Sequence, residues 1–127
     1  MPALTDALLS IVVPLYNEEE NVALLTGKIH EALEGYTYQI VYVDDFSTYG
    51  TRRVIQGLKD PAVHLISLKK NYGQSLALAA GLDYAQGAYI ITMDGDLQND
   101  PADIPGMLPF VLSGEYDVVT GIRQKRK

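Results

Sequence analysis

Two carboxylates, Asp94 and Asp96, directly follow an apolar run and lie one residue apart. The run, residues 88–93, is typical of a strand covered on both faces, as in parallel sheets. Ligands of open α/β sheets bind beyond the carboxyl ends of the strands, where both side chains would lie. We expect Gly95 between them to allow a tight turn that aims both carboxylates at one ligand. Such hard oxygen donors suit Mg²⁺ or Mn²⁺ carrying a diphosphate, and a solvated acidic turn is the alternative.

A second pair of carboxylates, Asp44 and Asp45, ends another β-rich run, Tyr38–Val43. The carboxyl ends of parallel strands meet at one edge of a sheet, and ligands bind in a crevice at that edge. A topology that places both strand ends at the same crevice makes the two acid pairs a single site. The sequence therefore predicts one acidic site assembled from two strands.

The elements that would position these residues alternate along the chain. Short apolar runs predict strands, and apolar residues at helical spacing predict the helices between them. Such alternation implies right-handed βαβ units, so we expect an α/β fold with a mostly parallel sheet flanked by helices. The predicted strands are Ser10–Val13, Tyr38–Val43, His64–Leu68, 88–93 and Asp117–Thr120, and the predicted helices begin near Asn17, Thr51, Gln74 and Pro101.

Local signals predict where some of these elements start and stop. Pro14 is expected to end the first strand, because proline has no backbone N–H to donate. Asn17 and Glu20 have the spacing of a capping box at the start of the first helix. Either Ser47 or Thr48 is expected to cap the second helix.

The bulk composition limits the classes of function. A chain of 127 residues fits a single domain, residues 1–127, and its net charge of −6 argues against nucleic acid as a partner. The absence of cysteine excludes disulfides and thiolate metal sites. No run approaches the ~20 apolar residues of a membrane span. His30 and His64 fall inside a predicted helix and strand, so we interpret them as structural.

Other phosphate-binding motifs do not fit the sequence. A P-loop requires Gly-x-x-x-x-Gly-Lys-Ser/Thr, which does not occur. A dinucleotide site requires Gly-x-Gly-x-x-Gly after the first strand, where this chain has Pro-Leu-Tyr-Asn. An aspartyl nucleophile of the phosphatase type is disfavoured, because the Asp-x-Asp turn follows the fourth predicted strand instead of opening the domain.

A series of motifs, in this order, resembles the nucleotide-sugar-binding half of inverting family 2 glycosyltransferases with the GT-A fold. The motifs are Ile-Val-Val-Pro-Leu-Tyr-Asn-Glu at 11–18, Val-Asp-Asp-x-Ser-Thr-x-Gly-Thr at 43–51, Asn-x-Gly at 71–73, Met-Asp-Gly-Asp-Leu-Gln at 93–98 and Gly-x-Arg at 121–123. The Asp-Gly-Asp-Leu-Gln-x-x-Pro segment is most similar to the polyprenyl-phosphate branch, which includes dolichyl-phosphate mannosyltransferases and bacterial undecaprenyl-phosphate glycosyltransferases.

The resemblance implies a Rossmann-like GT-A half that binds a UDP- or GDP-linked sugar, and it implies roles for single residues. Asp94, Asp96 and Gln98 would hold Mg²⁺ or Mn²⁺ against the diphosphate. Asp96 and Arg123 would act in catalysis, Arg123 by pairing with a donor phosphate, although its alternative is one more charge in a basic tail. The acceptor would be a lipid phosphate, an anion that needs no strong general base. The implied donor-binding residues are Pro14, Tyr16, Glu18, Val43, Asp45, Asp94 and Gly95.

The sequence departs from the family pattern in one loop and in its length. Phe46 and Tyr49 stand where the family commonly has Gly and Asp. Because family domains continue well beyond Gly-x-Arg, we expect a truncated chain, soluble by itself, whose full-length protein is attached to the cytoplasmic face of a membrane through segments absent here. Apolar surface left by truncation would favour a homo-oligomer. The alternative function is a catalytically incompetent nucleotide- or metal-binding or interaction module.

Overall fold

The computed structural model describes residues 8–47, 50–87, 89–95 and 101–106. Strands and helices alternate as the sequence predicts, and none of the described helices has the length and apolar character needed to cross a membrane. The predicted strand Asp117–Thr120 and most of the helix after Pro101 lie outside the described residues. The elements are β1 (Leu8–Leu15), α1 (Val22–Ala32), β2 (Thr37–Asp44), α2 (Thr51–Gly57), β3 (Val63–Ser67), α3 (Gln74–Tyr84), β4 (Tyr89–Thr92) and a 3-10 turn at Pro101–Asp103.

The described strands form one parallel sheet in the order β3-β2-β1-β4. In its register, Val12 of β1 aligns with Val41 of β2 on one side and with Thr92 of β4 on the other. The prediction of an α/β fold with a parallel sheet is confirmed. Because β1 lies between β2 and β4, the two strands that end in acid pairs flank the end of β1.

Helices cover both faces of the sheet, and side-chain alternation along β1 divides the core in two. Leu9, Ile11, Val13 and Leu15 face α1 and α2, while Val12 faces α3 with Val41, Val43 and Ala77. The part of the core between the sheet and α3 is small, because α3 lies directly on the sheet. A Cβ atom on Gly81 would lie 2.4 Å from Cγ1 of Val12, so only glycine permits this approach. The central strands β1 and β2 are therefore buried on both faces, as apolar parallel strands require, whereas β3 and β4 are mostly half-buried.

The prediction that Pro14 ends β1 is wrong, because the strand continues to Leu15. Backbone groups of alternate residues on a strand point to the same neighbour. The carbonyl of Val12 accepts a hydrogen bond from the N–H of Met93, just past β4, at 3.0 Å. The donor that Pro14 lacks would therefore point to the β4 side, where the pairing with β4 has already ended at Val12. Proline is tolerated in a strand where no ladder bond is lost.

The capping prediction for α1 is also wrong, and Ser47 does not cap α2. α1 begins at Val22, because Asn17 adopts a left-handed conformation (φ 55°) and its N–H donates to Oγ of Ser47 at 2.8 Å. Ser47 is thereby used to join two loops, and its own hydroxyl donates to Asp44. α2 begins after Gly50, and Thr48 lies outside the described residues. Contacts between loops outweighed the local capping signals.

Candidate functional site

A cleft of about 170 Å³ opens at the carboxyl edge of the sheet, between the ends of β1 and β4 and the start of α3. Its position is the one expected for ligands of an open parallel sheet. Its lining combines carboxylates with an exposed ring and an amide. The lining residues are Pro14, Leu15, Tyr16, Glu18, Asp45, Gln74, Ala77, Asp94 and Gly95.

The cleft brings together most of the donor-binding residues that the sequence predicts, namely Pro14, Tyr16, Glu18, Asp45, Asp94 and Gly95. Val43 is different. Its side chain is fully buried under α3, against Val12 and Ala77, and does not line the cleft. Its role in donor binding stays a prediction. Asp96, Gln98 and Arg123 lie outside the described residues, so their roles also stay predictions.

Asp45 fixes the start of α3 with both of its carboxylate oxygens. Oδ1 accepts the backbone N–H of Tyr72 at 2.7 Å, and Oδ2 accepts that of Gly73 at 2.8 Å. Gly73 adopts φ 94° and ψ 162°, a conformation essentially confined to glycine. This double acceptance, which we call the Asp45 clamp, holds the first turn of α3 over the cleft. Each oxygen retains a lone pair for a further donor.

Asp44 is directed away from the cleft, although it is adjacent to Asp45 in sequence. It is fully buried, accepts hydrogen bonds from the backbone N–H and hydroxyl of Ser47, and pairs with Nε of Arg52 at 3.0 Å. Successive side chains alternate across a sheet, so two neighbouring carboxylates at a strand end serve opposite faces. The prediction that both members of this pair belong to one site is therefore wrong.

The loop after β1 presents Tyr16 and Glu18 to the cleft. Tyr16 is 45% exposed, so its ring is available to a ligand. Glu18 is held in place by two contacts. Its N–H donates to Oγ1 of Thr51 at 3.1 Å, and its Oε1 accepts the side-chain amide of Asn21 at 2.8 Å. The carboxylate of Glu18 is therefore positioned before any ligand arrives.

Close packing is a second reason for glycine at position 95, beside the predicted tight turn. A Cβ atom at this position would lie 2.2 Å from Cδ2 of Leu15 and 3.6 Å from Cγ of Glu18. The backbone after β4 therefore packs directly against the end of β1, and this contact forms one wall of the cleft. Next to it, Oδ1 of Asp94 accepts a hydrogen bond from Nε2 of Gln74 at 3.1 Å.

Phe46 adopts the left-handed conformation, with φ 61°. Glycine takes this conformation without steric cost, which explains the family's usual glycine at this position. The ring is 43% exposed and lies 5.9 Å from the guanidinium carbon of Arg52. The loop thus keeps the backbone shape that glycine favours, at the expense of local strain. Tyr49, the second departure, lies outside the described residues.

The sequence prediction missed Gln74, Leu15 and Ala77 as cleft residues. Gln74 carried a usable signal, because it is the first residue of a predicted helix that follows a strand at the carboxyl edge. Leu15 and Ala77 carried none, because small and aliphatic residues in a core and in a cleft wall look alike in sequence.

A second polar cluster lies at the amino edge of the sheet. Nδ1 of His30 hydrogen-bonds the hydroxyl of Tyr38, and Nε2 of His30 pairs with Asp60, whose other oxygen accepts the N–H of Ala62 at 2.9 Å. Burial alone would raise the pKa of Asp60. The hydrogen bonds from His30 and Ala62 and the charge of His30 outweigh that effect and hold the pKa below its ordinary value. Burial, with a smaller contribution from Asp60, raises the pKa of Tyr38.

Comparison with known sequences connects this geometry to a family. Residues 10–127 match the sequence model of glycosyl transferase family 2. The chain is 42% identical over 124 residues to the dodecaprenyl-phosphate galacturonate synthase of Rhizobium johnstonii. It is 38% identical over 123 residues to the undecaprenyl-phosphate 4-deoxy-4-formamido-L-arabinose transferase of Pectobacterium carotovorum. The alignments cover 94% and 93% of this chain but only 37% of each relative.

Solved structures share the fold. The mannosyltransferase PcManGT of Pyrobaculum calidifontis, in complex with GDP-Man and Mn²⁺, superposes with a TM-score of 0.67 at 26% identity, over 84% of this chain and 32% of that one. Glucosyl-3-phosphoglycerate synthase of M. tuberculosis superposes with a TM-score of 0.72 at 22% identity, over 88% of this chain and 43% of that one. The second likeness concerns the fold alone.

Proposed function

We propose a function that starts from one fact: this chain belongs to glycosyl transferase family 2. The chain binds the nucleotide-sugar donor of an enzyme that glycosylates a polyprenyl phosphate. The observation that carries the proposal is the cleft at the carboxyl edge, where Tyr16, Glu18, Asp45 and Asp94 converge from three separate segments. The relatives named for transfer to dodecaprenyl or undecaprenyl phosphate support this acceptor class.

The nucleoside would bind near Tyr16 and Asp45. The exposed ring of Tyr16 offers a flat apolar face to a base, and Asp45 offers an acceptor to a ring N–H. The Asp45 clamp uses one lone pair of each oxygen for α3, so the same carboxylate can fix the helix and bind the base. The GDP-Man bound to PcManGT supports a nucleotide sugar as the ligand class, with UDP- and GDP-linked sugars both to be tested.

The donor set of the cleft fits a divalent cation of the Mg²⁺ or Mn²⁺ type. Within the described residues there is no group of three or more His, Cys, Asp or Glu side chains placed to hold a metal. Such ions, however, are commonly held by one or two carboxylates together with substrate phosphates. Asp94 would be one ligand, and we propose Asp96 and Gln98 as the others. When bound, the ion would neutralise the diphosphate and stabilise it as a leaving group.

For the attack by the acceptor, the protein mainly has to hold the acceptor in the correct position. A lipid phosphate is an anion at neutral pH, so its oxygen can attack the anomeric carbon without a strong general base. The new bond joins the anomeric carbon to the acceptor oxygen. The bond to the diphosphate breaks on the opposite face of the sugar, which inverts the anomeric configuration. We propose that Arg123 pairs with a donor phosphate during this step.

A ligand panel tests the proposal. Thermal unfolding is measured with UDP, GDP or CDP, each with Mn²⁺, Mg²⁺ or chelator. A ligand at 100 times its dissociation constant adds about 2.7 kcal/mol to the unfolding free energy, which raises Tm by several degrees. We expect a metal-dependent rise with one nucleotide, and the Asp94→Ala variant should lose it. No rise with any nucleotide would contradict the proposed function.

Transfer itself is tested in the full-length protein that contains this sequence. Labelled donor sugar should appear in an undecaprenyl-phosphate product that is extracted into organic solvent. Nucleotide binding without transfer to any lipid phosphate would favour the alternative, a nucleotide-binding module without transferase activity.

A further inference from the structure

The side chain of Gln74 reaches Asp94 from the opposite side of the cleft. Nε2 of Gln74 donates to Oδ1 of Asp94 at 3.1 Å, and both residues line the cleft. Twenty residues of sequence separate the two, and they belong to different elements, the start of α3 and the end of β4. The contact is therefore a tertiary one that depends on where α3 begins.

The start of α3 is fixed independently of Gln74. The Asp45 clamp holds the two residues before it, and Oδ1 of Asn71 also accepts the N–H of Gly73 at 3.1 Å. Further along, the burial of Ala77 and the close approach of Gly81 to Val12 anchor the helix on the sheet. Gln74 is exposed, so a hydrogen bond from it is poorly suited to stabilise the fold. Its position instead allows it to hold the carboxylate of Asp94 in one orientation.

We propose that Gln74 is a positioning residue that orients the Asp94 carboxylate for a divalent cation. An amide donor on one oxygen fixes the rotation of a carboxylate, and that rotation sets where its oxygens lie relative to the ion. The donor is uncharged, so it neither neutralises the carboxylate nor repels the cation, as a lysine would. The inference rests on the proposed function, because it requires a cation at Asp94.

The path Asp45–Tyr72/Gly73–Gln74–Asp94 also joins the two halves of the proposed donor site. Asp45, at the end of β2, sets the start of α3 through two backbone N–H groups, and Gln74 at that start sets the orientation of Asp94 after β4. The start of α3 would therefore fix the position of Asp45, which binds an N–H of the nucleotide base, relative to Asp94, which lies near the diphosphate.

The test is a direct titration with Mn²⁺ in the absence of nucleotide. The electron paramagnetic resonance signal of the free ion measures how much Mn²⁺ is bound. Outer-shell partners of metal ligands typically contribute 10- to 100-fold in affinity, so we expect Gln74→Ala to raise the Kd for Mn²⁺ by about that factor. Gln74→Asn, whose amide is one methylene too short, should behave as the alanine variant does. Gln56→Ala is the matched control, since it removes an exposed helical glutamine that lines a different cleft. All variants should retain the wild-type Tm.

The outcomes separate the inference from the proposed function. If the wild-type chain binds Mn²⁺, Asp94→Ala loses it and Gln74→Ala binds as the wild type does, the inference is overturned while the proposed function stands. If the wild-type chain binds no Mn²⁺ by itself, the inference is overturned; if it also binds none with saturating UDP or GDP, the proposed metal-dependent donor binding fails as well. A second readout isolates positioning. Nucleotide affinity measured in chelator should be equal in wild type and Gln74→Ala, and a loss there would mean that Gln74 contacts the nucleotide directly, which also overturns the inference.

Discussion

At the carboxyl edge of the sheet, Asp45 and Asp94 border an open cleft, whereas at the amino edge His30, Tyr38 and Asp60 bond to one another. In the amino-edge cluster both ring nitrogens of His30 are engaged, and Asp60 is held by an imidazole and a backbone amide. At the carboxyl edge, backbone amides hold Asp45, and the amide of Gln74 contacts Asp94.

The difference is one of charge compensation. An imidazole beside a carboxylate is a partner that can carry the opposite charge, so the amino-edge cluster is complete without a ligand. The backbone amides that hold Asp45 carry no charge, so they orient its carboxylate without neutralising it, which suits the binding of a nucleotide N–H. Substitutions at the carboxyl edge should therefore change binding, and substitutions at the amino edge should change stability alone.

Asp45→Ala should have the largest effect, because the Asp45 clamp serves both stability and binding. Removing the carboxylate deprives the N–H groups of Tyr72 and Gly73 of a charged acceptor, which should lower the unfolding free energy by about 2–4 kcal/mol. Nucleotide affinity should fall at least ~10-fold, because a charged hydrogen bond is worth at least about 1.5 kcal/mol.

Urea unfolding and calorimetric titration measure the two effects of Asp45→Ala. Asp83→Ala is the control, because Asp83 is exposed on the same helix and does not line the cleft. A stable Asp45→Ala variant with wild-type affinity would remove the distinction between the two edges.

Gly95→Ala should destabilise the protein by about 1–3 kcal/mol, because the added methyl group would overlap Leu15 and force the cleft wall to move. Gly27→Ala is a matched control in α1, where a Cβ atom has no neighbour within 4 Å. That change should raise stability by about 0.5–1 kcal/mol, since alanine favours a helix interior. Chemical unfolding of both variants checks the opposite signs, and equal signs would contradict the close packing of Gly95.

Asp60→Asn should lower stability by about 1.5 kcal/mol at neutral pH and leave nucleotide affinity unchanged. The pKa of Asp60 lies below its ordinary value of 3.8 in the folded protein, so the charged carboxylate stabilises the fold above that pH. This contribution is lost as the pH falls from 3.8 through the lower folded value. The stability difference between wild type and variant should therefore shrink across that window in urea unfolding. A difference that grows on acidification would contradict the assignment.

Phe46 gives the smallest expected effect and tests backbone strain beside the cleft. Left-handed φ costs a residue with a side chain about 1–2 kcal/mol, whereas glycine adopts it freely. Phe46→Gly should therefore be more stable than Phe46→Ala by about 1 kcal/mol, the reverse of the usual order. Thermal unfolding of the two variants decides the order, and an alanine variant of equal or greater stability would show that φ at this position is relaxed.

The sheet and the location of the cleft were predictable from sequence because they follow from chain-wide regularities. Apolar runs that alternate with helices specify a parallel sheet, and the strand-end rule then places Asp45 and Asp94 at one edge. The separation of Asp44 from Asp45 was also open to prediction, since side chains alternate along a strand. The same alternation, continued past the end of β2, places Asp44 and Asp45 on opposite faces of the sheet.

Other features depend on contacts between distant segments. Pro14 can continue β1 because the pairing of β1 with β4 has already ended at Val12. Asn17 starts no helix because its N–H donates a hydrogen bond to Oγ of Ser47. The need for Gly95 arises from Leu15, eighty residues earlier. Local propensity contains no information on such contacts, so these positions required the structure.

We propose that a divalent cation and a nucleotide bind at the carboxyl edge of the sheet and not at the amino edge. Two-dimensional ¹⁵N NMR of this chain with substoichiometric Mn²⁺ and UDP or GDP tests it, because the paramagnetic ion broadens nearby amide signals. The eight residues of β2 separate the two edges by roughly 26 Å. We predict that the amides of Gln74, Asp94 and Gly95 lose intensity first, while those of Ala62 and Val63 persist. Loss centred on His30 and Asp60, or uniform loss along the chain, would contradict the claim.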